Sequence, residues 1–145
     1  MRVYEIIPGL YQSPTPTEHV FTDGDGHQVD INALIDLEGD IDPVVPQRKI
    51  GDVYVYWPIE DAELHDALTV RGLAAFISGL IDAGYRVLVH CKAGMNRASL
   101  VTGRVLIHRG MEPEEAVVLL EERRDPEVLS NTAFREWLLG ERPGR

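Results

Sequence analysis

This chain of 145 residues contains a single cysteine and no long hydrophobic run. Because Cys91 cannot form an internal disulfide, a disulfide-stapled miniprotein is excluded and a reducing compartment, the cytoplasm, is expected. No apolar run approaches the roughly 18 residues of a membrane-spanning helix, and the first residues lack the apolar stretch of a secretory signal. We therefore expect a cytoplasmic protein with no membrane partner.

Positive charge is also scarce, with 14 Lys and Arg against 24 Asp and Glu and a net charge of −10. This balance repels nucleic acid at long range, so no nucleic-acid partner is expected. The composition, 44% hydrophobic and 26% charged, is typical of a globular protein rather than a disordered chain. The length predicts one domain spanning residues 1–145.

The hydrophobic pattern predicts an α/β domain with helices packed on a central sheet. Apolar runs bounded by turn residues indicate strands at 2–7, 31–37, 53–57 and 86–90. Three- and four-residue spacing predicts a helix over 73–81, closed by Gly84. Further helices are expected over 97–109, from Pro113, and after a cap at Asn131 or Thr132. Loops or turns are expected at residues 13–17, 23–26 and 39–49.

One stretch, residues 90–99 with the sequence HCKAGMNRAS, carries the residues that indicate chemistry. A predicted buried strand ends at His90 and a predicted helix begins near Arg97. The free N–H groups and dipole of a helix N-terminus favour an anion, and Gly94 lets the backbone curl around it. Arg97 offers a planar fork for two phosphate oxygens. The same positive surroundings favour the thiolate of Cys91, which would then be a nucleophile aimed at a bound phosphate.

The pattern of His-Cys, five residues and Arg, with Ala-Gly inside, resembles the active-site loop of the cysteine-dependent protein phosphatases, especially their dual-specificity branch. Residues 57–61, WPIED, resemble the general-acid segment of that family and place Asp61 30 residues before Cys91. Residues 7–11 and 130–134 resemble the opening and a late segment of dual-specificity domains. The resemblance covers roughly residues 3–139. It implies a single α/β domain with a central, mostly parallel sheet flanked by helices, and a phosphate-binding loop between a strand end and a helix N-terminus.

By this resemblance, Cys91 attacks phosphorus and forms a phosphocysteine, and Asp61 is the general acid and then the general base. His90 would keep the thiolate ionised and the loop oriented. The phosphoryl oxygens would be held by the Arg97 side chain and by the backbone N–H groups of Lys92, Ala93, Gly94, Met95, Asn96 and Arg97. No metal and no organic cofactor are implied.

The implied partner is a phosphorylated protein or a small phosphomonoester, with phosphotyrosine, phosphoserine and phosphothreonine all open and the oligomeric state undetermined. Trp57 is predicted to be a core residue at a strand end rather than the hinge of a mobile acid loop. Asp23 and Asp25 suggest calcium, but the following residues do not fit an EF-hand loop, so a turn is expected there.

One position departs from the family pattern. The family usually has Ser or Thr directly after the arginine, and its hydroxyl assists the thiolate to leave, whereas this chain has Ala98. Ser99 could substitute only if the helix begins at a different residue. We therefore expect slow hydrolysis of the phosphoenzyme. The same departure leaves open a pseudophosphatase, a module that binds phosphate without turnover.

Other substrate classes also stay open. Asn96 resembles the corresponding residue of cysteine-type RNA 5′-triphosphatases, but those lack an acid equivalent to Asp61, which favours phosphomonoester chemistry. Lys92 resembles the loop lysine of tensin-related inositide phosphatases, which carry a second lysine where this chain has Met95. Sulfur transfer through a persulfide would also use a cysteine in an anion-binding loop, but the spacing from Cys91 to Arg97 favours phosphate.

Overall fold

The computed structural model describes residues 1–38 and 51–144, so the predicted 39–49 loop lies outside the described residues. The strands are β1 (Tyr4–Ile7), β2 (Leu10–Ser13), β3 (Phe21–Thr22), β4 (Gln28–Val29), β5 (Ala33–Asp36), β6 (Val53–Tyr56) and β7 (Val87–His90). The helices are α1 (Ala67–Asp82), α2 (Arg97–His108), α3 (Pro113–Arg123) and α4 (Thr132–Leu139).

Five strands form a central sheet in the order β1-β2-β7-β5-β6. The pairs β2–β7, β7–β5 and β5–β6 are parallel, and only the edge pair β1–β2 is antiparallel. The predicted α/β class with a mostly parallel sheet is therefore confirmed. Ser13 and Asp36 are both in register with His90, so three strands end side by side at one edge. In parallel sheets this carboxyl edge is where ligands bind.

The helix ends follow local signals that the sequence carries. Gly84, with φ of +90°, follows Ala83, the C-cap residue of α1, as predicted for a glycine that closes a helix. Pro113 is the first residue of α3. Of the two candidate caps for α4, Asn131 is the one used, because its side chain accepts the N–H of Phe134 at 3.2 Å.

Strand β2 was not predicted, because Gln12 and Ser13 are polar although both are fully buried. Their burial follows from the position of β2 between β1 and β7. The Gln12 amide Nε2 donates to Ser99 Oγ at 3.1 Å and to the Gly94 carbonyl at 3.3 Å. The predicted loop therefore begins after Ser13, and β2 links the sheet to the 90–99 stretch. The predicted 23–26 turn joins the short hairpin of β3 and β4.

Helix α2 lies in the core, with ten of its 12 residues buried. Among them is Arg104, which is 1% exposed and donates from Nε to Glu141 Oε1 at 2.9 Å. Arg71 of α1 also binds Glu141 through two hydrogen bonds of 2.7 and 2.8 Å. The bonds from Arg71 lower the pKa of Glu141 most, burial opposes them, and the bond from Arg104 adds to the lowering. These contacts attach the segment after α4 to α1 and α2.

In the part of the chain that the structure describes, no helix combines the length and the apolarity needed to cross a bilayer.

Candidate active site

Cys91 lies at the carboxyl edge of the sheet, directly after β7, and is 2% exposed. Its Sγ accepts the backbone N–H of Ala98 at 3.4 Å. Asn96, the N-cap residue of α2, makes no side-chain capping bond. The cysteine sulfur therefore takes the place of a capping oxygen at the N-terminus of α2.

The backbone carbonyls of the 91–97 loop are bound from outside the loop. Thr15 N–H donates to the Lys92 carbonyl at 3.3 Å, and Leu129 N–H donates to the Met95 carbonyl at 3.1 Å. The Arg124 guanidinium donates to the carbonyls of Ala93 at 2.9 Å and Gly94 at 3.2 Å. A trans peptide group points its N–H away from its carbonyl. Four consecutive N–H groups, those of residues 93–96, are therefore turned away from these external donors.

Those four N–H groups have no acceptor within residues 1–38 and 51–144. A run of backbone N–H groups without protein acceptors is the arrangement of an anion-binding nest. The anion-binding nest stays a prediction from the sequence, which carries no signal for Arg124, 30 residues further along the chain. Arg124 also stacks on the Tyr4 ring, with 4.2 Å from Cζ to the ring centroid.

Gly94 makes the closest backbone approach in the loop. Its φ is +69°, and a Cβ placed on it would lie 2.5 Å from the carbonyl carbon and oxygen of Ser13. Only glycine fits there, because the loop passes directly over the end of β2 and the conformation is left-handed.

The Arg97 side chain lies between the loop and the 57–61 segment. Its Nη1 donates to the Ile59 carbonyl at 3.2 Å. Its Nε is buried and has no hydrogen-bond partner among the described residues. A buried guanidinium N–H without a protein acceptor suits an oxyanion ligand.

Asp61 is exposed, and its carboxylate is held by two asparagine side chains. Asn96 Nδ2 donates to Asp61 Oδ2 at 3.1 Å, and Asn131 Nδ2 donates to Asp61 Oδ1 at 2.8 Å. Asn131 also donates to the Ala62 carbonyl at 2.9 Å. The structure thus brings Asp61 next to the 91–97 loop. Sequence reasoning assigned Asn131 only a capping role, because a contact 70 residues away leaves no local pattern.

His90 is fully buried beneath the loop, and its Nε2 lies 3.6 Å from Asp36 Oδ1. Asp36 is itself held in place, because Oδ2 accepts the Tyr54 hydroxyl at 2.8 Å and Oδ1 accepts the Glu38 N–H at 2.9 Å. This arrangement fixes the imidazole next to a buried carboxylate. The orienting role of His90 stays a prediction.

Among the described residues, two groups of side chains could each offer three ligand atoms to a metal ion. One is Asp36, Glu38 and His90, and the other is Asp23, Asp25 and His27. In the second group, Asp23 Oδ1 already accepts the N–H groups of Asp25 and His27, both at 2.9 Å, which is the bonding of a turn.

Helix α2 begins at Arg97, as predicted, and Ser99 does not replace the missing hydroxyl at position 98. Ser99 is fully buried, and its Oγ accepts the Gln12 amide. At position 98 it is the backbone N–H that contacts Cys91 Sγ. Ser99 therefore does not supply the hydroxyl that position 98 lacks.

The prediction that Trp57 is a core residue is wrong, because its side chain is 45% exposed. It follows β6, which among residues 1–38 and 51–144 has a neighbouring strand on one side only. With Ile59, Leu64 and Leu73, it lines an apolar pocket of about 200 Å³ between the 57–61 segment and α1.

Comparisons with known proteins agree with this fold and loop. A family model described as dual specificity phosphatase, catalytic domain, matches residues 26–142. The Drosophila melanogaster dual specificity protein phosphatase Mpk3 is 33% identical over 144 residues, covering 93% of this chain and 33% of that protein. Bos taurus protein tyrosine phosphatase type IVA 3 is 31% identical over 81 residues, covering 54% of this chain and 47% of that protein. The chain thus spans a third to about half of these relatives.

Solved structures show the same fold. The human tyrosine phosphatase-like serine/threonine/tyrosine-interacting protein matches with a TM-score of 0.74 at 22% identity, covering 94% of this chain and 93% of that one. Human DUSP28 matches with a TM-score of 0.73 at 20% identity, covering 94% and 89%. The chain belongs to the dual specificity phosphatase catalytic domain family, within the protein tyrosine phosphatase superfamily.

Proposed function

We propose that this chain hydrolyses phosphomonoesters in two steps through a phosphocysteine, and that its substrates are phosphoproteins. The observation that carries the proposal is the position of Cys91 at the N-terminus of α2, beside four backbone N–H groups without a protein acceptor in the described part of the chain. Donors outside the loop bind the carbonyls of the same peptide groups, so these N–H groups point the other way. Membership of the dual specificity phosphatase family supports the same reaction and the same class of substrate.

In the first step, the Cys91 thiolate attacks phosphorus and the bond from phosphorus to the leaving oxygen breaks. The loop N–H groups of residues 92–97 and the Arg97 guanidinium hold the three remaining phosphoryl oxygens as their charge changes. The Asp61 carboxyl gives its proton to the leaving oxygen.

In the second step, the Asp61 carboxylate removes a proton from water, and the water oxygen attacks phosphorus. The bond from phosphorus to sulfur breaks and the electron pair returns to Cys91. The Ala98 N–H, 3.4 Å from Sγ, stabilises the departing thiolate, but no hydroxyl accompanies it at this position. This second step should therefore limit turnover.

His90 is proposed to hold the loop in place from below through its contact with Asp36. The proposed unit is the whole chain, residues 1–145, as one domain, because β1 and β2 precede residue 26 and still belong to the central sheet. A cytoplasmic location is proposed because Cys91 must stay a free thiol.

The test is steady-state turnover of para-nitrophenyl phosphate and of matched phosphotyrosine, phosphoserine and phosphothreonine peptides. We expect Cys91→Ser to abolish turnover while keeping oxyanion binding, and Asp61→Ala to lower kcat by roughly 10²–10⁴-fold. Circular dichroism melts control for folding. Equal turnover by Cys91→Ser would overturn the mechanism.

A second candidate function is a phosphate-binding module without turnover, which Ala98 favours. A folded wild-type protein that binds phosphopeptides but never releases phosphate would support it over hydrolysis.

A further inference from the structure

Asn96 lies within the 91–97 loop, and its side-chain hydrogen bonds go to Asp61, Ser130 and Asn131, which lie outside that loop. Its Oδ1 accepts the Asn131 backbone N–H at 3.0 Å and the Ser130 hydroxyl at 3.3 Å. Its Nδ2 donates to Asp61 Oδ2 at 3.1 Å and to Ser130 Oγ at 3.2 Å. One amide thus connects the loop to the 57–61 segment and to the start of α4.

The orientation of this amide is fixed by chemistry. A backbone N–H can only donate, so the atom of Asn96 that faces Asn131 N must be the oxygen. The nitrogen must then face Asp61. The same reasoning fixes Asn131, whose Oδ1 accepts the Phe134 N–H and whose Nδ2 therefore faces Asp61 Oδ1. Each oxygen of the Asp61 carboxyl receives one amide N–H, and neither amide can turn without losing a backbone bond.

The Asn96 side chain does not cap helix α2. It occupies the N-cap position of α2, where an asparagine side chain usually accepts a helix N–H, yet it makes no such bond. That acceptor role belongs to Cys91 Sγ at the Ala98 N–H. The Asn96 side chain therefore forms hydrogen bonds with Asp61 and with the start of α4, and none with the first turn of its own helix.

We infer that Asn96 is a positioning residue that fixes the Asp61 carboxyl relative to the 91–97 loop and so sets the efficiency of proton transfer to the leaving group. This inference rests on the proposed function. Because the backbone of Asn96 belongs to the loop that would hold phosphate, its side chain links the proton donor to that loop. Proton transfer requires the donor within hydrogen-bond reach of the leaving oxygen, so a carboxyl held loosely loses rate.

The test compares substrates that need the acid with one that does not. Para-nitrophenyl phosphate releases a stable anion, whereas phenyl phosphate releases a basic oxygen that needs a proton. We expect Asn96→Asp to lower kcat/KM for phenyl phosphate roughly tenfold more than for para-nitrophenyl phosphate. The variant is isosteric and keeps an oxygen for the Asn131 N–H, but it places a carboxylate opposite Asp61.

A double-mutant cycle separates positioning from general damage to the loop. In an Asp61→Ala background, Asn96→Asp should cause no further change in the ratio of the two kcat/KM values. The matched control is Asn32→Ser, because the Asn32 side chain also accepts a backbone N–H, that of Arg86 at 2.8 Å, far from the carboxyl edge. It should lower stability and leave the ratio at the wild-type value.

A second readout does not depend on activity. The chain has three asparagines, Asn32, Asn96 and Asn131, so their side-chain amide resonances can be assigned directly by NMR. In Asp61→Ala, the amide protons of Asn96 should shift to the position of a weaker hydrogen bond, while those of Asn32 stay unchanged.

The outcomes are distinguishable. If the wild-type protein turns over both substrates but the Asn96→Asp variant lowers them equally, or if the effect persists without Asp61, this inference fails and the proposed function stands. A wild-type protein that turns over neither substrate overturns the proposed function and this inference with it. Unchanged Asn96 amide resonances in Asp61→Ala also overturn the inference.

Discussion

Gly94→Ala tests whether the position of the 91–97 loop against β2 controls activity. The added Cβ would lie 2.5 Å from the Ser13 carbonyl group and 2.8 Å from Pro14 N, and both contacts are backbone. Since ordinary carbon contacts begin near 3.5 Å, the loop must move by about 1 Å. A displacement of that size can cost roughly 10²-fold in rate. We therefore expect kcat/KM for para-nitrophenyl phosphate to fall about 100-fold or more.

Stability should fall as well. The φ of +69° costs an alanine about 1–2 kcal/mol, and forcing a methyl group into a packed site costs about 1–3 kcal/mol more. The matched control is Gly26→Ala, where φ is +80° and nothing lies within 4 Å of the added Cβ. In this control, only the backbone strain of the positive φ should lower the free energy of unfolding, and activity should stay at the wild-type value. A Gly94→Ala variant with kcat/KM within a few-fold of wild type would refute the reasoning.

Three further predictions follow from particular contacts. Ala98→Ser adds a hydroxyl beside Cys91 Sγ, so rapid-mixing kinetics should show a smaller burst of nitrophenol than wild type; an unchanged burst would mean that position 98 does not govern phosphoenzyme hydrolysis. Arg124→Lys removes the paired donors to two loop carbonyls and should lower kcat/KM roughly tenfold, and a wild-type value would show that the loop holds itself. Glu141→Gln should lower the free energy of unfolding at pH 7 by about 2–3 kcal/mol in urea titrations, because one of its arginine partners is buried and the other is partly exposed. Since Arg71 lowers the native pKa of Glu141, this stabilisation is complete above its unfolded pKa of about 4.5. It is lost as the pH falls through the lowered native pKa, so the difference between variant and wild type should shrink in acid; a difference that persists there would contradict the assignment.

Local signals were sufficient to predict much of this fold. The Val-Leu-Val run of β7, the glycine after α1 and Pro113 each act within a few residues, and the structure confirms all three. The same signals predicted where the 91–97 loop lies, because it connects the end of strand β7 at His90 to the start of helix α2 at Arg97. The prediction that this loop binds phosphate depended on the family resemblance as well as on residue chemistry.

What the sequence could not predict depends on distant partners. Strand β2 contains the buried polar residue Gln12, whose amide donates to the Gly94 carbonyl and to Ser99 Oγ, 82 and 87 positions away. Trp57 has a sequence context typical of a core residue, yet it follows an edge strand and remains 45% exposed. The amide contacts on Asp61 join residues 35 and 70 positions apart. No pattern of hydrophobicity or turn chemistry records contacts of that kind.

The central claim, that Cys91 is the nucleophile, is tested most directly by acid quench of the enzyme milliseconds after mixing with para-nitrophenyl phosphate, followed by mass spectrometry. The account predicts one phosphoryl group on the Cys91 peptide, in an amount that matches the burst of nitrophenol. It also predicts no such adduct in Cys91→Ser. Turnover without any phosphoryl adduct on Cys91 would contradict it.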